Sequence, residues 1–156
     1  MAGVIIAPHA DDELIGCYSK IVNREILNIQ YIAECDEIRR AEAVALCRSF
    51  GIIPSFLNGQ VLMLADTLHG IEAGELYIPS PNDNHNLHKL IYYIVYDLEP
   101  AIPTIVYSVY MNDFFVRPIS DPIQKRIDLD HYYPSQKDLW KHDARYYLFE
   151  GYAELK

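Results

Sequence analysis

The chain is short of cysteine, of positive charge and of long apolar runs, and each shortage excludes something. Its three cysteines, Cys17, Cys35 and Cys47, are an odd number with no C-x-x-C pair. They read as reduced intracellular thiols and speak against a cysteine metal site. Thirteen Lys and Arg face 22 Asp and Glu, for a formal charge of −9. Phosphate recognition needs clustered cations, so nucleic acid is not an expected partner. An anionic membrane surface is disfavoured for the same reason. The longest apolar run, Leu90 to Tyr96, is far too short for a bilayer span, so no membrane insertion is expected. No basic segment followed by a long apolar stretch opens the chain, so no signal peptide is visible and a cytoplasmic location is expected. Repeats, low-complexity tracts and linkers are also missing. A single domain over 1–156 is the expectation.

What is present is an alternation of elements. Gly3–Ala7 reads as a buried strand and Asp11–Arg24 as a helix with Leu14, Cys17, Tyr18, Ile21 and Val22 on one side. Ile26–Ala33 reads as a second strand. Asp36–Phe50 reads as a helix with Ile38, Ala41, Ala45 and Leu46 inward, stopped by Gly51. Ile52–Leu57 reads as a third strand. Strand, helix, strand, helix, strand predicts a parallel sheet with crossover helices. The segment 58–78 suggests a loop or short helix before a strand near Leu76–Ile78, and 79–83 a turn. A helix follows over about Asn84–Leu98, capped by Asp83 or Asn84, with Leu87, Leu90, Ile91, Ile94, Val95 and Leu98 buried. Thr104–Val109 is a further strand. Asp121–Tyr132 and Ser135–Lys141 look helical, and Arg145–Tyr152 fits either state.

The chemistry concentrates where the first strand ends, in Pro8-His9-Ala10-Asp11-Asp12-Glu13. An apolar run that breaks into a histidine and three acids reads as a strand opening into a site at its carboxyl end, where open α/β sheets bind ligands. The alternative is that the acids only complement the positive end of a helix. His85 and His88 lie three apart in the first turn of the later helix and share a face. The helix terminus disfavours a charged imidazole, and a neutral one is what a metal needs. The alternative there is two partly exposed histidines with no task. Two histidines and a carboxylate with an open position form a recurrent catalytic zinc arrangement. His9, Asp12 and His88 could supply it, with Asp11 left beside the metal as a base.

These residues resemble the PIG-L/LmbE-like zinc deacetylases, which remove acetyl groups from N-acetylglucosamine conjugates and related amides. Residues 8–13 are similar to that family's (P/A)-H-(P/A)-D-D-E signature. Arg39-x-x-Glu42 with Gly51 is similar to its R-x-x-E…G helix, His85-Asn86-Leu87-His88 to its distal H-x-x-H, and Tyr133-Pro134-Ser135-Gln136 to its Y-x-S-Q segment. The resemblance implies zinc held by His9, Asp12 and His88, with Asp11 as general base. It also implies His85 stabilising the oxyanion and Arg39 holding substrate. Glu13 and Tyr92, the latter one turn beyond the two histidines, are added as candidate substrate contacts.

The chain departs from the pattern at three points. Asn86-Leu87 stands where the family has Pro-Asp, so His85 lacks its usual carboxylate unless Asp83 supplies one. Ala33-Glu34-Cys35 replaces a Thr-x-Gly turn, and the chain is shorter than most members. An open rim on a short chain leaves homo-oligomerisation open. Most of the thirteen tyrosines read as core, as do Cys17 and Cys47, and Trp140 as packing for a C-terminal helix. Lys125, Arg126 and Arg117 read as solvated surface. His69, His131 and His142 have no partner at metal spacing. The reading is an α/β protein with a Rossmann-like three-layer fold and a mostly parallel central sheet. Its expected activity is zinc-dependent removal of an N-acetyl group from a small-molecule amino sugar conjugate. The alternatives are an amidase acting on a thiol conjugate or an acylated antibiotic, and a sugar-binding relative that keeps the metal but has lost turnover.

Overall fold

The structure, a computed structural model, describes residues 2–70, 72–113 and 115–155. The first strand, β1 (Gly3–Ala7), is buried along its whole length, as a continuous apolar run inside a parallel sheet should be. It pairs in parallel with β2 (Ile26–Tyr31) on one side and β4 (Leu76–Pro79) on the other. Beyond β2 lies β3 (Ile53–Phe56), and beyond β4 lies β5 (Thr104–Tyr107), both parallel to their neighbours. Two antiparallel strands complete the sheet, β6 (Val116–Pro118) and β7 (Phe149–Glu154), in the order β3-β2-β1-β4-β5-β7-β6. The expected α/β class and mostly parallel sheet are therefore present. The antiparallel edge was not anticipated.

Strand alternation gives the sheet two cores. Ile5 and Ala7 of β1 pack with Leu14, Ile21, Leu46, Leu129 and Trp140. Val4 and Ile6, pointing the other way, pack with Ile32, Ile78, Ile91 and Val95. The chain leaves β1 toward β2 and β3, then returns to β4 and β5 on the opposite side. A crevice must open at the carboxyl ends of β1 and β4, where the direction of winding reverses.

The helix expected over Asp11–Arg24 is two helices, α1 (Asp12–Gly16) and α2 (Tyr18–Val22), broken at Cys17. The cause is competition for two backbone groups. Lys125 Nζ donates to Ile15 O at 2.6 Å, and the Ser19 amide donates to the Glu150 carboxylate at 2.8 Å. A continuous helix would have joined Ile15 O to Ser19 N. Lys125 is thus fully buried rather than solvated, which corrects the expectation. Its second acceptor is Phe149 O at 2.9 Å, and burial pulls its pKa down to about 8.

Helix α3 (Glu37–Phe50) has its predicted ends. Asp36 caps the Arg39 amide at 2.8 Å, and Gly51 closes the helix at φ 72°. Its buried stripe is Ala43, Leu46 and Cys47, whereas Ile38, Ala41 and Ala45 face solvent. After α4 (Met63–His69) comes α5 (Asn86–Leu98), which buries His88, Ile91 and Val95 and exposes Leu90 and Leu98. Its cap is His85, not Asp83 or Asn84. Helix α6 (Pro122–Tyr132), a 3-10 turn (Pro134–Gln136), α7 (Lys137–Lys141) and α8 (Arg145–Leu148) lead into β7. The ambiguous segment 145–152 divides between α8 and β7. Among the described residues no helix is long and apolar enough to cross a membrane.

Candidate metal centre

The site forms where β1 and β4 end. The chain turns after Ala7, and Asp12, the first residue of α1, reaches back toward His9. Asp12 Oδ2 accepts the His9 amide at 2.8 Å and lies 3.0 Å from His9 Nδ1. From α5, His88 Nε2 comes within 3.2 Å of the same oxygen. One ligand atom each from His9, His85 and His88 lie within 4.8 Å of one another, so this group could hold a metal ion.

His88 is the best-oriented member. Its Nδ1 donates to Asp83 Oδ2 at 2.9 Å. Asp83 is fixed in turn by the backbone amides of Val109 (3.3 Å) and Tyr110 (3.1 Å), just past β5. A carboxylate on one ring nitrogen sets the tautomer and leaves the other lone pair for a metal. Here that other nitrogen, Nε2, is buried and makes no well-formed hydrogen bond, its near acceptor being Asp12 Oδ2 at 3.2 Å. The donor set and this orphaned nitrogen fit a divalent transition metal. Without a metal, burial opposes charge on His88, but Asp12 and Asp83 outweigh it and raise its pKa to about 9. Burial likewise opposes charge on Asp12, yet His88 and His9 hold it well below the usual carboxylate range. The sequence allows Asp83 as a partner for His85. It serves His88 instead.

His85 stands at the N-cap of α5, where its Nδ1 accepts the Leu87 amide at 3.2 Å. Desolvation and the neighbouring His9 and His88 lower its pKa. Leu87 turns its side chain toward the second core. The ring of His85 packs edge-on against His9 at 4.5 Å.

Asp11 lies in the turn before α1 with φ 120° and ψ −31°, a conformation rarely taken by a non-glycine residue. Its amide donates to Glu13 Oε2 at 3.0 Å. Burial, then the Asp12 and Glu13 carboxylates, raise its pKa well above the usual range, and Arg39 opposes them. A cleft of about 270 Å³ opens over these groups, lined by His9, Asp11, Asp12, Ile15, Arg39, His85, Val109, Tyr110, Leu139 and Tyr146. A roomier hollow of about 480 Å³ near Tyr96 and Pro100–Thr104 has only Glu99 of the metal-ligand residue types. Convergent polar groups, not size, single out the first.

The two distant sequence segments meet beside this cleft. Arg39 Nη2 donates to Gln136 Oε1. Glu42 accepts from both the amide (2.8 Å) and the hydroxyl (2.6 Å) of Ser135, while Tyr133 donates its hydroxyl to Glu13.

Two candidate substrate contacts fall elsewhere. Glu13 has no exposed surface and lies behind Asp11, accepting from Tyr31 OH at 3.0 Å and from Tyr133 OH. Burial raises its pKa to about 7 against these hydrogen bonds. Tyr92 packs on the second core and stacks with Tyr96, away from the cleft lining. Tyr110, Leu139 and Tyr146 were not anticipated, and Asp83 was expected only as a helix cap or as a partner for His85. Tyr110 follows the carboxyl end of β5, a position that could have flagged it. Nothing local in the sequence marks Leu139 or Tyr146. Compared with models of known protein families and with curated proteins, the chain matches none.

Proposed function

We propose that the chain is a zinc-dependent hydrolase of the PIG-L/LmbE type that removes an N-acetyl group from an N-acetylglucosamine-type conjugate. The observation that carries this reading is the buried Nε2 of His88, oriented by Asp83 and aimed at Asp12 beside His9, with Asp11 next in the chain. The strand order and the cores on both sheet faces support a Rossmann-like, three-layer arrangement for the described residues.

His9, Asp12 and His88 are the proposed ligands. His85 is the proposed hydrogen-bond donor, because the Leu87 amide occupies Nδ1 and leaves the proton of the neutral ring on Nε2. Zinc held there supplies Lewis acidity toward a carbonyl and lowers the pKa of water. Asp11, which lines the cleft next to Asp12 in the chain, takes a proton from the attacking water. The Nε2–H of His85 faces the oxygen that gains charge as the amide carbon becomes tetrahedral. Arg39, held by Gln136, binds polar groups of the substrate, and Tyr110 and Tyr146 wall the space for a sugar ring. The proton on Asp11 passes to the departing amine, giving acetate and a free amino sugar.

Acetate release tests this across N-acetylglucosamine conjugates, N-acyl thiol conjugates and acylated antibiotics, with zinc-loaded and chelated protein. The expected result is release from the amino sugar conjugates that stops on chelation and returns with zinc. Release only from another class would favour the broader amidase. Full zinc occupancy with no release would favour a binding protein.

A further inference from the structure

Glu13 belongs to the same acidic run as the site but cannot touch a substrate in the cleft, since it is fully buried and both carboxylate oxygens are engaged. Oε2 accepts the Asp11 amide at 3.0 Å. Oε1 accepts Tyr31 OH from β2 at 3.0 Å and Tyr133 OH from the segment after α6. The residue whose amide it holds has the only φ near 120° among the non-glycine residues with positive φ that are described. Such a conformation persists only where surrounding groups over-determine it. Tyr133 also opens the 133–136 segment whose Gln136 holds Arg39. Substrate-side groups from opposite ends of the chain therefore share one buried anchor.

We infer that Glu13 is the positioning residue of this site. It fixes the Asp11 backbone so that the carboxylate faces the cleft and, through Tyr133, sets the segment that holds Arg39. The inference rests on the reading of Asp11 as base, but its geometric part can be tested without activity.

Amide hydrogen exchange of the ¹⁵N-labelled, metal-free protein reads the Asp11 N–H directly. Glu13→Ala is expected to lower protection of that amide by about tenfold or more, one hydrogen bond's worth, with the β1 core amides unchanged. Glu13→Gln is expected to restore it, since its amide oxygen can accept from Asp11 while its N–H groups face the two phenol oxygens. Undiminished Asp11 protection in Glu13→Ala, or no rescue by Glu13→Gln, overturns the inference. Should Glu13→Ala fail to fold, Asp11→Gly in the double variant is expected to restore folding, because glycine takes this φ unaided. A double variant that stays unfolded overturns the inference as well.

On a substrate that the protein hydrolyses, Glu13→Ala should lower kcat about tenfold or more, with KM within about twofold and recovery in Glu13→Gln. Unchanged kcat contradicts the positioning role. If the wild type hydrolyses nothing on the panel, the functional reading fails while hydrogen exchange still decides the role of Glu13.

Discussion

Hydrogen bonds occupy Nδ1 of both His88 and His85, but in opposite senses. His88 donates its Nδ1 proton to Asp83, so Nε2 is the nitrogen that a metal would meet once its proton leaves, whereas His85 spends its Nδ1 lone pair on the Leu87 amide. Asp12→Ala and His88→Ala should therefore lose most bound zinc, and His85→Ala should retain it, as elemental analysis of the purified variants would report. Asp83→Ala should lower zinc affinity by about 10–100-fold, the usual cost of losing the carboxylate behind a histidine ligand. A competition titration with a chelator of known affinity checks this. Zinc lost from His85→Ala and kept by Asp12→Ala would replace the proposed ligand set with the three histidines.

The elements around the site were unevenly legible. Strand β1 and the acidic run after it stood out because five buried apolar residues break directly into ligand types. Helix α3 showed its ends through Asp36 and Gly51, but of its expected inward face only Leu46 is buried, since apolar residues occur on both sides and packing chose Ala43, Leu46 and Cys47. The break between α1 and α2 was invisible because its causes, Lys125 and Glu150, lie more than a hundred residues away. A lysine on a helix of mixed composition reads as solvated, and only the carbonyls of Ile15 and Phe149 make its burial tenable. Lys125→Met keeps the volume but leaves both carbonyls unpaired. It should cost about 1–3 kcal/mol, read as a lower urea midpoint. An unchanged midpoint would mean that the break at Cys17 does not depend on Lys125. Gly16→Ala should also destabilise, because a Cβ there would collide with the Tyr107 ring, which has little freedom to yield while its hydroxyl is bonded to Ile6 O at 2.8 Å.

At the scale of the whole molecule, the buried site makes metal-free stability depend on pH. Folding raises the pKa of Glu13 from 4.5 to about 7 and that of His88 from 6.5 to about 9. Both groups bind protons more tightly when folded, so their contributions are full at low pH. That of Glu13 is lost between pH 4.5 and 7, and that of His88 between 6.5 and 9. His85, whose pKa folding lowers, opposes the trend below about pH 6.5, and Lys125, lowered from 10.5 to about 8, opposes it only above pH 8. Urea denaturation of metal-free protein should show stability falling by a few kcal/mol from about pH 5 to 8. Zinc should reverse the trend, because the ligand proton on His88 must leave before the metal binds and leaves more readily as pH rises. A flat profile without metal would contradict the burial argued for Glu13 and His88.

The alternation of strands and helices was legible in the sequence, but the sheet order, which sets residues 9–13 against 83–88 at its crevice, was not. The tyrosine wall and the Asp83 brace required the folded chain. The claim on which all this converges is that Asp11 acts as a base beside a metal that it does not hold. Asp11→Asn tests it most directly, with zinc content and acetate release measured on one sample. The account predicts full zinc stoichiometry with turnover reduced about a hundred-fold or more. Near-normal turnover with zinc retained would contradict it.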